Sequence, residues 1–205
     1  MALQFTIRNS SGVDGRQVVV VPGVVDYDVA SLEQWQTFGI ANGGQQDFTW
    51  NAALTVAVAT PSGSSLAKAT ATGAAWFATA APSLALTPGT SSDLEPGETG
   101  VLNKTNPPVQ LTVSWLVDGR LLLPQPGVNA GSLATMQLSG EMWLWTQTPS
   151  DVRDRSDSAV MAAKTATVRS PKTRYTLPVG KSRVVVTWSR PDGVDGADVF
   201  TFAAS

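Results

Sequence analysis

The sequence predicts an all-β protein, an antiparallel β-sandwich built as one body or as two packed sandwich halves. Three observations carry this. Short apolar runs alternate with polar residues at period two. Clusters of Gly, Pro, Asn and Asp interrupt these runs about every eight to twelve residues. No segment sustains the 3.6-residue period of an amphipathic helix. At 205 residues a single domain, 1–205, is expected, with a subdivision into 1–81 and 109–205 left open.

Leu3, Phe5 and Ile7 alternate with Gln4, Thr6 and Arg8, a half-buried first strand that ends at the turn-forming Asn9-Ser10-Ser11-Gly12. Gln17–Val21 follows and Pro22-Gly23 closes it. Residues 33–40 fit a short strand or one helical turn around Trp35, and Asn42-Gly43-Gly44 marks the next turn. Phe48–Val58 is the longest apolar run. Phe48 and Trp50 share a face, as do Leu54, Val56 and Val58 after a break at Asn51, so it reads as the buried strand around which the chain is organised.

Leu66–Ala81 is rich in Ala and Thr and suits a strand, given its Gly and β-branched residues. Residues 82–108 carry five prolines and read as a linker or long functional loop. Val109–Val117 alternates and Asp118-Gly119 leads into Arg120–Leu123. Asp-Gly tolerates the positive φ values of a type I′ turn, so this is the strongest hairpin signal. Met136–Gln147, with Met142 and Leu144 on one face and Trp143 and Trp145 on the other, reads as a strand buried on both sides. Ala159–Arg169, Arg174–Leu177, Arg183–Trp188 and Ala197–Phe202 complete the strands. No repeat of solenoid length is present, and the two halves of the chain match only loosely.

Charged residues make up 15% of the chain, against about a quarter in an average domain, and the net charge is -2. Such a surface repels its own copies weakly, which favours assembly into a homo-oligomer. Residues 1–100 carry Arg8, Arg16 and Lys68 against eight carboxylates, whereas 153–190 carry nine basic side chains against Asp154 and Asp157. These opposite-signed stretches attract, within one molecule or between neighbours. A pI near 5.0 speaks against a nucleic-acid partner. Neither Cys nor His is present. Ser-His-Asp and Cys-His nucleophile systems and nearly all zinc, copper and haem sites are thereby removed, so neither catalysis nor a cofactor is expected. The opening residues alternate as a strand rather than forming a signal peptide, and no apolar run reaches 18 residues. Cytoplasmic synthesis of a soluble protein is expected, with release by a non-signal route left open and no membrane partner foreseen.

The Asn9-Ser10-Ser11-Gly12 turn, the Trp35 segment, Asn42-Gly43-Gly44 and Phe48-Thr49-Trp50 together resemble the RhiA-type rhizosphere-induced proteins of soil and plant-associated bacteria. Leu111–Arg120 is similar as well. The likeness is clear over about the first 60 residues and looser beyond. The chain departs from the pattern after Trp50, where Leu54 and Val56 stand in place of a further aromatic. The resemblance implies an abundant, regulated bacterial protein made in the cytoplasm. It supplies no catalytic residues.

Asp192, Asp195 and Asp198 are spaced three apart with glycines between them, an oxygen-ligand pattern for a hard cation such as Ca²⁺, without EF-hand spacing. The same run suits a hairpin turn. Asp26-Tyr27-Asp28 is a weaker acidic cluster that reads as loop. Of the seven Trp, most lie inside apolar strands; Trp35 and Trp76 have less apolar neighbours and are the candidates for stacking on a sugar. Glu141 is the one acidic residue in a clearly apolar stretch, so no carboxylate pair for glycoside hydrolysis stands out. Thr55–Thr79, uncharged but for Lys68, alternates like a pore-forming hairpin. The first expectation is therefore a structural, self-assembling protein; a lectin-like glycan or cell-surface binder and a membrane-active toxin are the alternatives.

Overall fold

The computed structural model describes residues 2–80, 83–148, 170–191 and 197–205. Its strands are β1 (Leu3–Ser10), β2 (Gln17–Val24), β3 (Gln36–Gly39), β4 (Gln45–Trp50), β5 (Leu54–Ala59), β6 (Ser65–Thr70), β7 (Ala75–Thr79), β8 (Ala85–Gly89), β9 (Thr99–Asn103), β10 (Leu111–Val117), β11 (Arg120–Val128), β12 (Leu133–Met136), β13 (Leu138–Gln147), β14 (Thr173–Thr176), β15 (Arg183–Ser189) and β16 (Val199–Ala204), with one 3-10 turn at Val29–Ser31. They form four four-stranded sheets, ordered β16-β15-β1-β4, β14-β13-β2-β3, β11-β10-β5-β6 and β12-β9-β7-β8. Among the described residues the hairpin pairs β2–β3, β5–β6, β7–β8, β10–β11, β13–β14 and β15–β16 are antiparallel, whereas β1 with β15 and β7 with β9 run parallel. The all-β sandwich that the alternation predicts is present.

The chain divides into two compact units. Unit 1 comprises Met1–Pro22, Gln34–Asn51 and Gly140–Ser205; unit 2 comprises Gly23–Glu33 and Ala52–Ser139. The first two sheets build unit 1 and the other two build unit 2, with the boundary falling inside β2 at Pro22 and inside β13 at Ser139. In unit 2, Leu54, Val56 and Val58 on β5 and Leu111, Val113, Trp115 and Val117 on β10 are buried while the residues between them are half covered. Each such side chain contributes about 1.5–3 kcal/mol by leaving water. In unit 1 Val18, Val19, Val20 and Val21 are all buried, as a strand with both faces covered requires. Aromatic stacks join its two sheets along both flanks: Phe38 on β3 with Phe48 on β4 at 5.3 Å, and Tyr175 on β14 with Phe202 on β16 at 4.1 Å.

Several sequence expectations change. Phe48–Val58 is not one strand: it splits into β4 in unit 1 and β5 in unit 2, with Ala52 between them at φ 53. Residues 82–108 are not a linker. Within unit 2 they carry β8 and β9, which pair on either side of β7, so the chain does not divide into 1–81 and 109–205. Asp118 and Gly119, at φ 49 and 76, adopt the type I′ geometry expected of them. The Ala159–Arg169 strand lies outside the described residues.

The halves of the chain match in strand topology. Followed in order, β5–β12 trace the same path through their two sheets as β13–β16 followed by β1–β4. The parallel pair β7·β9 falls where β15·β1 falls, and the hairpins β5–β6, β7–β8 and β10–β11 fall where β13–β14, β15–β16 and β2–β3 do. Among the described residues the chain thus shows two repeats of eight strands, β1–β8 and β9–β16, and each unit takes four of these strands from each repeat.

Buried Asn9 and Asn103 occupy the same place. The Asn9 side-chain amide donates to the carbonyls of Val13 and Ile40, and that of Asn103 to the carbonyls of Val109 and Val128. Each Oδ1 accepts from the backbone N–H two residues on, Ser11 or Thr105, at 3.0 Å. The Asn9 backbone exchanges hydrogen bonds with Gly43 and Gly44; that of Asn103 does so with Gly131 and Ser132. Gly39 and Gly127, Gly43 and Gly131, and the run Thr60-Pro61-Ser62 against Thr148-Pro149-Ser150 all align at one spacing.

Candidate functional site

Unit 1 holds a buried charged cluster. Asp198 precedes β16, Arg190 follows β15, Arg16 precedes β2 and Thr146 lies near the end of β13. The Asp198 side chain has no solvent exposure; Arg16 Nη1 lies 2.6 Å from Oδ2 and Arg190 Nε 3.3 Å from Oδ1. The Thr146 hydroxyl donates to Oδ2. Burial acts to raise the Asp198 pKa from its ordinary 3.8, but the Thr146 hydroxyl, the nearby Trp188 indole N–H and the two guanidinium groups together hold it below that value.

The cation site expected at Asp192, Asp195 and Asp198 is corrected at its third member. Asp198 is turned inward and neutralised by two arginines, which would repel a metal ion. Asp192 and Asp195 lie outside the described residues. Among the described residues no three Asp or Glu side chains gather as cation ligands. No helix there is long and apolar enough to cross a membrane.

The sugar-stacking candidates also move. Trp35 is core, 2% exposed, set edge-on to Phe48 and Trp50 at 6.0 and 5.3 Å. Trp76 is half-buried; its N–H donates to Thr70 Oγ1 at 2.8 Å, and the Lys68 ammonium lies 5.6 Å from its ring centroid. The aromatic that does reach solvent is Tyr27, 37% exposed. With Asp26, Glu95, Glu98 and Gln137 it lines a cavity of about 240 Å³ in unit 2. Its hydroxyl accepts from Gln125 Nε2, and the neighbouring Asp28 caps the 3-10 turn by accepting from the Ala30 N–H at 2.7 Å. The Asp26-Tyr27-Asp28 run was the sequence signal for this cavity; nothing local to it announces Glu95 and Glu98.

Sheet edges are the remaining exposed feature. Of the edge strands, β4 carries Asp47, β6 Lys68, β14 Arg174, β8 Pro88 and β11 Arg120, Pro124 and Pro126, residues that obstruct pairing with another chain. β3 and β12 are only four residues long. Among the described residues β16 is the longest edge strand with neither a charge nor a proline, and its one hydrogen-bonded neighbour there is β15. Val199, Thr201 and Ala203 are exposed along it.

No family model, no curated protein and no solved structure matches the chain.

Proposed function

We propose that this chain is a non-catalytic structural protein whose copies associate along sheet edges. The observation that supports this reading is β16, a six-residue edge with an uncharged, proline-free sequence, Val-Phe-Thr-Phe-Ala-Ala. Two copies of β16 related by a two-fold axis pair antiparallel and join their sheets. The low overall charge leaves little repulsion to oppose this. The RhiA resemblance, with its implication of an abundant bacterial protein, belongs to the same proposal.

The test is the mass by light scattering, over a range of concentrations, of the native chain and of Thr201→Lys. Thr201 is exposed, so the substitution changes stability by less than about 0.5 kcal/mol and places a charge on the edge. Assembly by the native chain and its loss in the variant are expected. A native chain at 21.4 kDa at every concentration contradicts the proposal.

A second reading, glycan binding, is favoured by the Tyr27 cavity, whose aromatic ring and carboxylates suit a sugar's apolar face and hydroxyls. Quenching or shift of tyrosine fluorescence by sugars, lost in Tyr27→Ala, is its signature.

A further inference from the structure

In unit 1, the face of sheet β16-β15-β1-β4 that alternates with buried Phe5 and Ile7 carries an open hollow of about 290 Å³. Its polar side chains come from three adjacent strands: Arg183 on β15, Gln4 and Thr6 on β1, and Asp47 and Thr49 on β4. Gln4 stands opposite both Arg183 and Thr49, and Thr6 stands opposite Asp47. We infer that this hollow binds a sugar that carries a carboxylate, a hexuronic acid. The site goes beyond the edge-pairing reading and is separate from the Tyr27 cavity.

The hollow recurs in unit 2. Matched on Asn9 and Asn103, the residues Gln4, Asp47 and Thr49 correspond to Glu98, Thr135 and Gln137, which line the Tyr27 cavity. The hollow is thus a product of the shared topology, but its lining is not. Where unit 1 has Thr6 and Arg183, unit 2 has Gly100 and Gly73. Leu94 lies over Gly100 so closely that a Cβ there would come within 2.6 Å of its Cδ2. Unit 2 fills with an apolar side chain the place that unit 1 leaves open beside a guanidinium. The fold therefore requires neither Arg183 nor Thr6.

The side chains in the hollow select the ligand. Thr6 is 2% exposed, and its Oγ1 accepts from Arg183 Nη2 at 3.2 Å, which steadies the guanidinium and leaves its other N–H groups for a ligand. Asp47 is exposed, and among the described residues no ion pair joins it to Arg183. A cation and an anion that share a hollow without meeting call for a ligand that answers each. A carboxylate takes the guanidinium fork, while hydroxyls donate to Asp47 and exchange hydrogen bonds with Gln4 and Thr49. Asp47 opposes the second negative charge of a phosphate. Because β15 and β4 flank β1, their backbones lie about 9.6 Å apart, twice the ordinary strand spacing. A hexuronic acid, with its carboxylate on one side of the ring and hydroxyls on the other, suits that separation better than an α-amino acid, whose two charges flank one carbon.

The test is isothermal titration calorimetry of the full chain with galacturonate and with galactose, its neutral counterpart. Galacturonate is expected to bind about tenfold tighter, and Arg183→Met is expected to abolish that difference by removing the charge-assisted contact. Where Arg183→Met does not fold, Asp47→Ala on the exposed edge strand reads the same hollow, weakening both sugars about fivefold. Tyr27→Ala is expected to change neither affinity. Equal affinity of the native chain for the two sugars, or no heat at millimolar galacturonate, overturns the inference. So does loss of galacturonate binding in Tyr27→Ala but not in Arg183→Met, which moves the sugar to the Tyr27 cavity, and so does displacement of galacturonate by equimolar inorganic phosphate, which marks a simple anion site. None of these readouts depends on assembly, so a monomeric chain that binds galacturonate as expected removes edge pairing and leaves this site standing.

Discussion

Unit 1 and unit 2 share one strand topology, and at one corresponding place their chemistry is opposite. Where unit 1 buries Arg16, Thr146 and Asp198, unit 2 carries Leu111, Val58 and Leu84. The topology therefore does not depend on how that place is filled. What the two units share is the strand alternation and the buried asparagine, Asn9 or Asn103, that ties the end of a strand to two later carbonyls. A buried ion pair and an apolar cluster are equivalent for the fold and opposite in their response to solvent conditions.

The largest expected effect comes from breaking the charged cluster. Asp198→Ala leaves the half-buried Arg16 and Arg190 facing no carboxylate and is expected to cost unit 1 about 3 kcal/mol. Hydrogen exchange resolved by segment checks this: protection falls in β1, β2, β13 and β15 and holds in β5–β12. Converting the cluster to the chemistry of unit 2, with Arg16→Leu, Thr146→Val, Asp198→Leu and Arg190→Met together, is expected to be neutral or to stabilise by up to about 4 kcal/mol in urea unfolding. A large loss there would mean that the charges are needed for the fold.

Asn9→Ala and Asn103→Ala sharpen the comparison from the other side. Asn9→Ala removes four side-chain hydrogen bonds and Asn103→Ala three, and each is expected to cost about 2–3 kcal/mol in its own unit. Unequal costs would show that the two asparagines are not equivalent.

The smallest effect is with pH. The folded-state pKa of Asp198 is depressed, so its contribution is fully present above the ordinary 3.8 and is lost as pH falls through the lower folded value. Acid unfolding followed by hydrogen exchange is expected to reach unit 1 at a higher pH than unit 2, and Asp198→Asn is expected to narrow that gap.

Much of the fold was legible in the sequence because period-two alternation reports one buried face. Leu3-Phe5-Ile7, Leu54-Val56-Val58 and Leu111–Val117 each became a strand, and Asp118-Gly119 became its turn. Pairing was not legible, since Arg16 and Asp198 meet across 182 positions. The same distance explains the error at Asp198, where an Asp-Gly run suggests a cation loop and remote guanidinium groups claim the carboxylate. The duplication was hidden for a related reason: its surviving identities, such as Gly43 with Gly131, mark turns, and turn glycines are common. Trp35 misled because its sequence neighbours Gln34 and Gln36 are polar, while its packing partners Phe48 and Trp50 lie on β4.

That each unit draws on both repeats is tested most directly by cutting the folded chain between them. A protease site placed between exposed Ser92 and Asp93, ahead of β9, severs the repeats without entering a strand. The cut protein is predicted to remain a one-to-one complex of its two fragments in buffer and to separate only in denaturant. Fragments that part in buffer, each still folded, would contradict it.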